Sequence, residues 1–553
     1  LKLHQVAAPR FARVGQLFVY GSLAYLLISG LSLVSFPGLQ YDEALFVNAA
    51  TDGGLGSDST SFVQRRLLGV PVLLMDYIGA FKAWLYTPIF ALFGVSKFTI
   101  RAPMVVAFVF SVWLCLSIVR RYSNFWIGSV AALVFASEPV FALMARNDWG
   151  PVAIAGLFRV IAIYGVLKIV ESGATRWYVL TTGAMCSGVF NKLDFLLFAI
   201  PFIFAVVVMF WNTWLYCWAA HRRRFIGSLV SLMLTYGLAY VYMYRPSQNI
   251  NQTANETFIE RFRSRIELIE ATFEGRNLTT YMTGSSISSS SRLFVCTLVA
   301  VVLVCIAEIL ARVTGERCTH QQLGMAKPSC GRVLSFLILL SIGILTTMAL
   351  TPAVSGPHHV AVMWPLLPLI LCFALGNAVR HRRRVGALGL ALLAGLIICI
   401  AVTFWTQTMV SSQMVGVLRN PELRSAIWSD EPEAAASALA LDIRRGGAVV
   451  PVIIADWGIG NQVKAFIDKS VRDSVVDDWP LFQNQTTFSP ETVVPRGPAT
   501  ERKFYLVTHA PGFQIADGTE SSAELLREHC GEIGSGSRSV FRGKQIVVDF
   551  ISC

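Results

Sequence analysis

The string Tyr41-Asp42-Glu43 places two adjacent carboxylates a few residues beyond the first long apolar run of the chain. Acids at such a boundary anchor poorly in lipid and pack poorly in a core, so they point to chemistry where membrane meets water. A carboxylate there can take a proton from an attacking hydroxyl. A third acid, Asp148, follows in Arg146-Asn147-Asp148-Trp149-Gly150-Pro151, at a turn between apolar runs. Lys82, Arg101, Lys192 and the pair His358-His359 fall near run ends on the same expected side. A Lys offers a mobile point charge and an Arg a planar fork, each matched to phosphate oxygens. The two histidines suit hydrogen bonding to a phosphate better than joint metal ligation, because adjacent helical residues diverge by about 100°. Structural readings stand beside these. Asp42 is a favoured helix cap with Glu43 in the first turn. Asp148 before Trp-Gly-Pro can begin a helix, Lys82 can snorkel from an interfacial helix, and Lys192 can pair locally with Asp194.

The elements that must position these side chains are membrane spans. The 553 residues are 54% hydrophobic and 14% charged, which excludes an ordinary soluble globule. The formal charge of +12 is divided among short clusters between apolar runs, which argues against a nucleic-acid partner. With the clusters kept inside, the apolar runs give eleven spans. They lie at about 17–36, 101–119, 124–143, 150–170, 178–191, 193–213, 225–244, 293–311, 333–351, 359–379 and 385–406. The first is expected to be a retained helix, the N-terminus inside and the C-terminal part outside.

Three external segments then stand out, at about 37–100, 245–292 and beyond 410. The apolar stretch Val70 to Phe93 reads as helices lying along the interface, and Glu256 to Phe273 as an amphipathic helix. Beyond 410 short apolar strands alternate with helical periods, as in a small α/β domain. The expected organisation is a polytopic α-helical membrane domain over 1–410 and an external α/β domain over 411–553. That external part holds two cysteines, Cys530 and Cys553, which are a disulfide candidate in an oxidising compartment.

The chain resembles the GT-C class of polyprenyl-phosphate-sugar glycosyltransferases, in particular the family 39 group that includes protein O-mannosyltransferases and the lipid A aminoarabinose transferase. The residues that carry the resemblance are YDEALFVNAA at 41–50, KAWLYTPIFALFGVSKFTIRAP at 82–103, RNDWGPVAI at 146–154, NKLDFLLF at 191–198 and HHVAVMWPLLPL at 358–369. It covers roughly residues 1–380 and implies a GT-C fold with about eleven transmembrane helices. It also implies an inverting transfer of a sugar from a polyprenyl-phosphate donor to a glycan, lipid or protein acceptor, on the extracytoplasmic or luminal side. The family's base falls on Asp42. Glu43 would orient the acceptor or assist a metal, and Asp148 would bind acceptor or metal, so a divalent ion held by Asp42, Glu43 and Asp148 is a possible cofactor. Where the family often has Arg or Tyr, this chain has His358-His359. The setting implied is a bacterial inner membrane with a periplasmic catalytic face, or the ER membrane with a luminal one. A transporter or lipid flippase and a non-catalytic assembly scaffold are the competing readings. The first usually has internal repeats and mid-membrane acids, which this sequence lacks. The second leaves the gathering of acids and bases on one face without a purpose.

Overall fold

The computed structural model describes residues 3–51, 65–67, 70–75, 77–148, 150–243, 256–283, 299, 326–351, 356–381, 386–425, 428–446, 449–483, 488–494, 503–515, 518–533 and 538–553. The expected span at 293–311 lies outside them, apart from residue 299.

The membrane part begins with α1 (Leu3–Ser32), followed by the short helix α2 (Tyr41–Ala50). Strands β1 (Arg65–Leu67), β2 (Val70–Met75) and β3 (Ile78–Gly79) form an antiparallel sheet, and α3 (Phe81–Phe93) leads into α4 (Lys97–Tyr122). Then come α5 (Phe125–Ser137), α6 (Pro139–Asn147), α7 (Val152–Ser172), α8 (Thr175–Asn191), α9 (Leu196–Met209), α10 (Trp211–Ala220) and α11 (Arg222–Met243). The helices α12 (Phe258–Phe273) and α13 (Arg276–Thr283) precede α14 (Cys330–Leu350), α15 (Pro357–Val360), α16 (Leu366–His381) and the long α17 (Gly386–Arg419).

Among the described residues seven helices are long and apolar enough to cross a membrane, or eight if the bent pair α9–α10 is one span. This is an integral membrane protein. The count differs from eleven partly because the run expected to span 124–143 breaks at Glu138-Pro139, into α5 and α6. Proline lacks the N–H that would continue the ladder but suits a first helical position. The stretch from Val70 also departs from expectation: its first part is strand, and only Phe81–Phe93 is helical. Val-Pro-Val opens β2, where a β-branched pair favours extended backbone and Pro71 is tolerated beside the short edge strand β1. Strand β3 then bridges to Lys192 through Ile78, and Leu193 donates to the Tyr77 carbonyl at 2.8 Å. The sheet thereby ties the segment between α2 and α3 to the end of α8.

The C-terminal part is the expected α/β domain: α18 (Glu431–Gly446), β4 (Val452–Ile454), α19 (Gly460–Phe466), β5 (Val475–Asp477), β6 (Lys503–His509), α20 (Thr519–Ile533), β7 (Arg538–Arg542) and β8 (Ile546–Ser552). The sheet order is β5-β4-β6-β8-β7, with β5, β4 and β6 parallel and β8 antiparallel to both neighbours. Apolar residues on its two faces form separate cores, one around Leu439, Val452 and Val507 and the other around Phe482, Phe504 and Leu526. Strands buried on both faces read as the continuous apolar runs that mark them in the sequence. Cys530 at the end of α20 and Cys553 after β8 form a disulfide.

Candidate functional site

Helix α2 opens with a capping box. Gln40 accepts from the Asp42 N–H at 2.6 Å, and the Gln40 N–H donates to Glu43 Oε2 at 3.0 Å. Gln40, one residue ahead of the motif, therefore does the capping that the sequence offered to Asp42. Both oxygens of Glu43 are engaged by Arg101, from Nε at 2.8 Å and from NH2 at 2.7 Å. The remaining Arg101 donors reach the carbonyls of Val34 and Pro37, each at 2.8 Å, and of Gly38 at 2.9 Å. Arg101 and Glu43 are both fully buried. All five guanidinium N–H groups are thus used within the protein, and none faces a phosphate. The geometry gives this pair a different job from the one expected of either residue: it clamps the chain between α1 and α2, and so sets where Asp42 stands.

Two further ion pairs flank Asp42, the first of them fully buried. The Lys82 ammonium on α3 pairs with Asp148 Oδ2 and lies 4.5 Å from the Phe46 ring centroid. Asp148 ends α6 in the left-handed region, at φ 49°, and its Oδ1 accepts from the Ala153 N–H at 2.8 Å, so it also caps α7. Lys192, in the turn after α8, pairs with Asp194 at 3.1 Å. Each ammonium carries three donors, so either can still meet a phosphate oxygen while keeping its carboxylate.

Asp42 differs from these acids. Among the described residues it makes no ion pair, and part of its surface stays open. Burial raises its carboxyl above the ordinary carboxylate range; Lys192 and Lys82 oppose the shift, while Glu43 and Asp148 reinforce it. A carboxylate held high in this way is a stronger proton acceptor than one in water.

Gly150 shows how closely these groups converge. It has φ +70°, and a β-carbon built on it would lie 3.3 Å from Lys192 Nζ, 3.4 Å from His358 Cδ2 and 3.8 Å from Asp42 Oδ2. A side chain would be strained there and would intrude between the base and its cations. Sequence reasoning passed over Gly150 as part of a turn; its signal was its place directly after Asp148-Trp149. Gly150→Ala is expected to lower Tm, since a left-handed Ala costs about 1–2 kcal/mol, and to lower kcat/KM, since the added methyl crowds the base and its cations. Steady-state kinetics equal to wild type would reject this crowding.

His358 and His359 divide. Their rings lie 4.0 Å apart at 46°, yet His358 reaches the Gly150 side while His359 Nδ1 accepts from the Gly356 N–H at 3.4 Å. No group of three or more His, Cys, Asp or Glu among the described residues is arranged to hold a metal ion. The three acids expected to share one do not fit the task, because Glu43 and Asp148 are committed to Arg101, Lys82 and backbone N–H groups.

The C-terminal domain closes over α2. Trp457 packs on Tyr41 with centroids 5.1 Å apart, Asn48 donates to the Asn461 carbonyl at 3.0 Å, and Arg472 donates to Thr51 Oγ1 at 2.8 Å. Beside this seam Asp477 is buried, and burial pushes its carboxyl up to about 7, with Lys464 opposing and Asp478 adding to the shift. Between the ordinary carboxyl value of 3.8 and about 7 the folded protein therefore keeps a proton that the unfolded chain has released. Stability falls with rising pH across that window, by up to about 4 kcal/mol at 1.36 kcal/mol per unit. Thermal melts from pH 5 to 7.5 are expected to show this decline and Asp477→Asn to flatten it; an equal slope in the variant would reject the assignment.

Comparison with known proteins agrees with this architecture. Residues 80–241 match the family described as dolichyl-phosphate-mannose-protein mannosyltransferase. The whole chain is similar to ArnT from Cupriavidus metallidurans in the apo state, with TM-score 0.54, 13% identity and 97% of each chain covered. It is also similar to ArnT from Cupriavidus metallidurans bound to undecaprenyl phosphate, with TM-score 0.52, 14% identity and 97% of each chain covered. No curated protein matches the sequence. The fold is that of the GT-C class of glycosyltransferases: a helical membrane domain whose helix ends on one side carry the acid–base cluster, with an α/β domain packed against α2. The family match runs over the segment that supplies Lys82, Arg101, Asp148 and Lys192.

Proposed function

We propose that the protein is an inverting glycosyltransferase that moves a sugar from a polyprenyl-phosphate donor to an acceptor hydroxyl on the extracytoplasmic or luminal face of the membrane. The observation that carries this is the convergence of the unpaired Asp42 carboxylate, the Lys192 ammonium and the His358 ring on Gly150. The donor class is supported by the family match, whose description names dolichyl phosphate mannose, and by the ArnT structure bound to undecaprenyl phosphate.

In this reading Asp42 accepts the proton of the acceptor hydroxyl as its oxygen bonds to the anomeric carbon. On the opposite face the bond from that carbon to the phosphate oxygen breaks, and the lipid phosphate leaves with the electron pair. A phosphate monoester is a stabilised leaving group, so neutralising charge serves better than protonating it. Lys82 and Lys192 are assigned to that role, His358 to hydrogen bonding the phosphate, Asp148 and Asp194 to holding the two ammonium groups, and Glu43 with Arg101 to positioning Asp42. His359 steadies the turn that presents His358. No step needs a metal. The setting proposed is a bacterial inner membrane with the site on its periplasmic side, or the ER membrane with the site on its luminal side.

The test is an assay of the purified full chain with polyprenyl-phosphate-linked sugars, reading release of polyprenyl phosphate by mass spectrometry. Release that depends on Asp42 supports the reading. Absence of release from every donor in a panel of hexosyl and pentosyl lipids rejects it.

A further inference from the structure

Helix α2 has ten residues, and a helix that short is marginal on its own in water. Every residue from Tyr41 to Ala49 except Asp42 is buried, so the helix is covered round its whole circumference. The cover must fix both its conformation and its position. It comes from two bodies. On the membrane side Arg101 holds Glu43, and the Lys82 ammonium lies over the Phe46 ring. On the other side stands the α/β domain.

Residues seven apart lie about two turns apart on one face of a helix. Tyr41 and Asn48 are such a pair, and both meet the α/β domain. Trp457, between β4 and α19, packs on Tyr41, and the Asn461 carbonyl accepts from Asn48. Arg472, just ahead of β5, reaches the far end of α2: its NH1 donates to Thr51 Oγ1 at 2.8 Å and to the Thr51 carbonyl at 3.3 Å. Thr51 closes the helix, and its hydroxyl donates to the Val47 carbonyl at 2.9 Å. A cation there meets the partial negative charge of the last carbonyls, and Arg472 is only 8% exposed, so little water competes. Helix α2 is thus gripped by a guanidinium at each end, one from each domain.

The α/β domain also has a fastening of its own. Lys97 at the start of α4 pairs with Asp430 and Glu433, each at 2.9 Å, and the Gly38 N–H donates to the Trp428 carbonyl at 3.1 Å. Cutting a single contact to α2 therefore leaves the domain attached.

We propose that Trp457 and Arg472 are positioning residues of the transferase site, which from the α/β domain hold α2 in place and keep water from the end that carries Asp42. This rests on the reading of Asp42 as the base of a glycosyltransferase. The α/β domain is then part of the catalytic unit, and the base stands on a helix that neither domain holds alone.

Trp457→Ala and Arg472→Ala are expected to lower kcat by about 10–100-fold, the cost of a misplacement of about 1 Å. The donor KM stays at the wild-type value, because Lys82 and Lys192 are untouched. In Trp457→Ala water reaches the residue beside Asp42 and relieves the burial that raises its carboxyl. The acidic limb of the pH profile is then expected to move to lower pH by about one unit, the usual size of an environmental shift. Glu43, Lys82, Asp148 and Lys192, the charges that act on Asp42, are unaltered, so the limb reports water. Loss of folded protein alone scales activity down and leaves the limb where it was. Trp457→Phe keeps a ring on Tyr41 and is expected to restore the limb. Arg472→Lys recovers part of kcat, since an ammonium can still donate to Thr51. Thr51→Val removes the same bond from the other side, with the α/β domain unaltered, and is expected to lower kcat as well.

Hydrogen exchange of the full chain reads α2 without turnover. Its amides are expected to exchange about tenfold faster or more in Trp457→Ala and Arg472→Ala, while α4 and α7 keep wild-type protection. Wild-type exchange of α2 in both variants overturns the proposal, and so does an unmoved acidic limb in Trp457→Ala. If the wild-type protein transfers no sugar from any donor, the transferase reading fails while the exchange of α2 still decides the grip, so the two failures are distinct.

Discussion

Asp42→Asn is expected to lower kcat/KM for sugar transfer by about 10²–10⁴, the usual worth of a general base. The substitution keeps size and shape, and Gln40 bonds the backbone of residue 42 rather than its side chain, so α2 remains capped. What is lost is a proton acceptor that no neighbour can replace, since Glu43, Asp148 and Asp194 are each engaged by a cation. Donor binding is expected to survive, because removing one negative charge beside Lys82 and Lys192 leaves both free to meet phosphate. The pH profile supplies a second readout. Burial holds the Asp42 carboxyl above the usual carboxylate range, so activity is expected to fall on acidification at a pH above that range as the base takes up its proton. That limb should vanish from the residual activity of the variant. Full activity in Asp42→Asn would falsify the assignment of the base.

The second large effect concerns the clamp. Arg101→Ala leaves the Glu43 carboxylate buried without its cation and strips three carbonyls of their donor. Breaking a buried pair from one side typically costs about 3–5 kcal/mol, and here the loss falls on the turn that carries Asp42. A marked drop in Tm is expected, together with loss of transfer through misplacement of the base. Arg101→Lys separates this role from phosphate binding. An ammonium could still attract phosphate, but it cannot make the five directed bonds of the planar fork. The clamp therefore calls for Arg101→Lys to be nearly as unstable as Arg101→Ala. A stable Arg101→Lys protein with weakened undecaprenyl phosphate binding would return Arg101 to the donor site.

Much of the architecture was legible because the bilayer leaves few options. Apolar runs of about twenty residues become helices that satisfy their own backbone, and α4, α7, α14 and α16 lie where such runs predict spans. Strand β6 coincides with KFYLVTH at 503–509, since a short apolar run flanked by charge has few other fates. The segment from Val70 reads as helix throughout but begins as strand, because a short apolar run looks alike in either state. What decided it was pairing: β3 meets Lys192, more than a hundred residues away, and no local pattern announces that partner.

The same division holds in the site. Sequence alone determined that acids and cations would gather at one set of span ends, because charge is expelled from hydrocarbon to its boundary. It marked Asp42, Asp148, Lys82, Lys192 and His358, which the fold brings together around Gly150 or in buried pairs beside it. Only the tertiary structure decided which of them are free to act. Arg101 and Lys82 are both cations near run ends, yet one spends every donor on Glu43 and the backbone between α1 and α2, while the other keeps donors to spare. Asp42 and Glu43 are neighbours in the chain, yet one meets a guanidinium and the other does not. A side chain's chemistry is written in its type, but its availability depends on which partners the packed helices bring within about 3 Å of it, and that is a property of the whole fold.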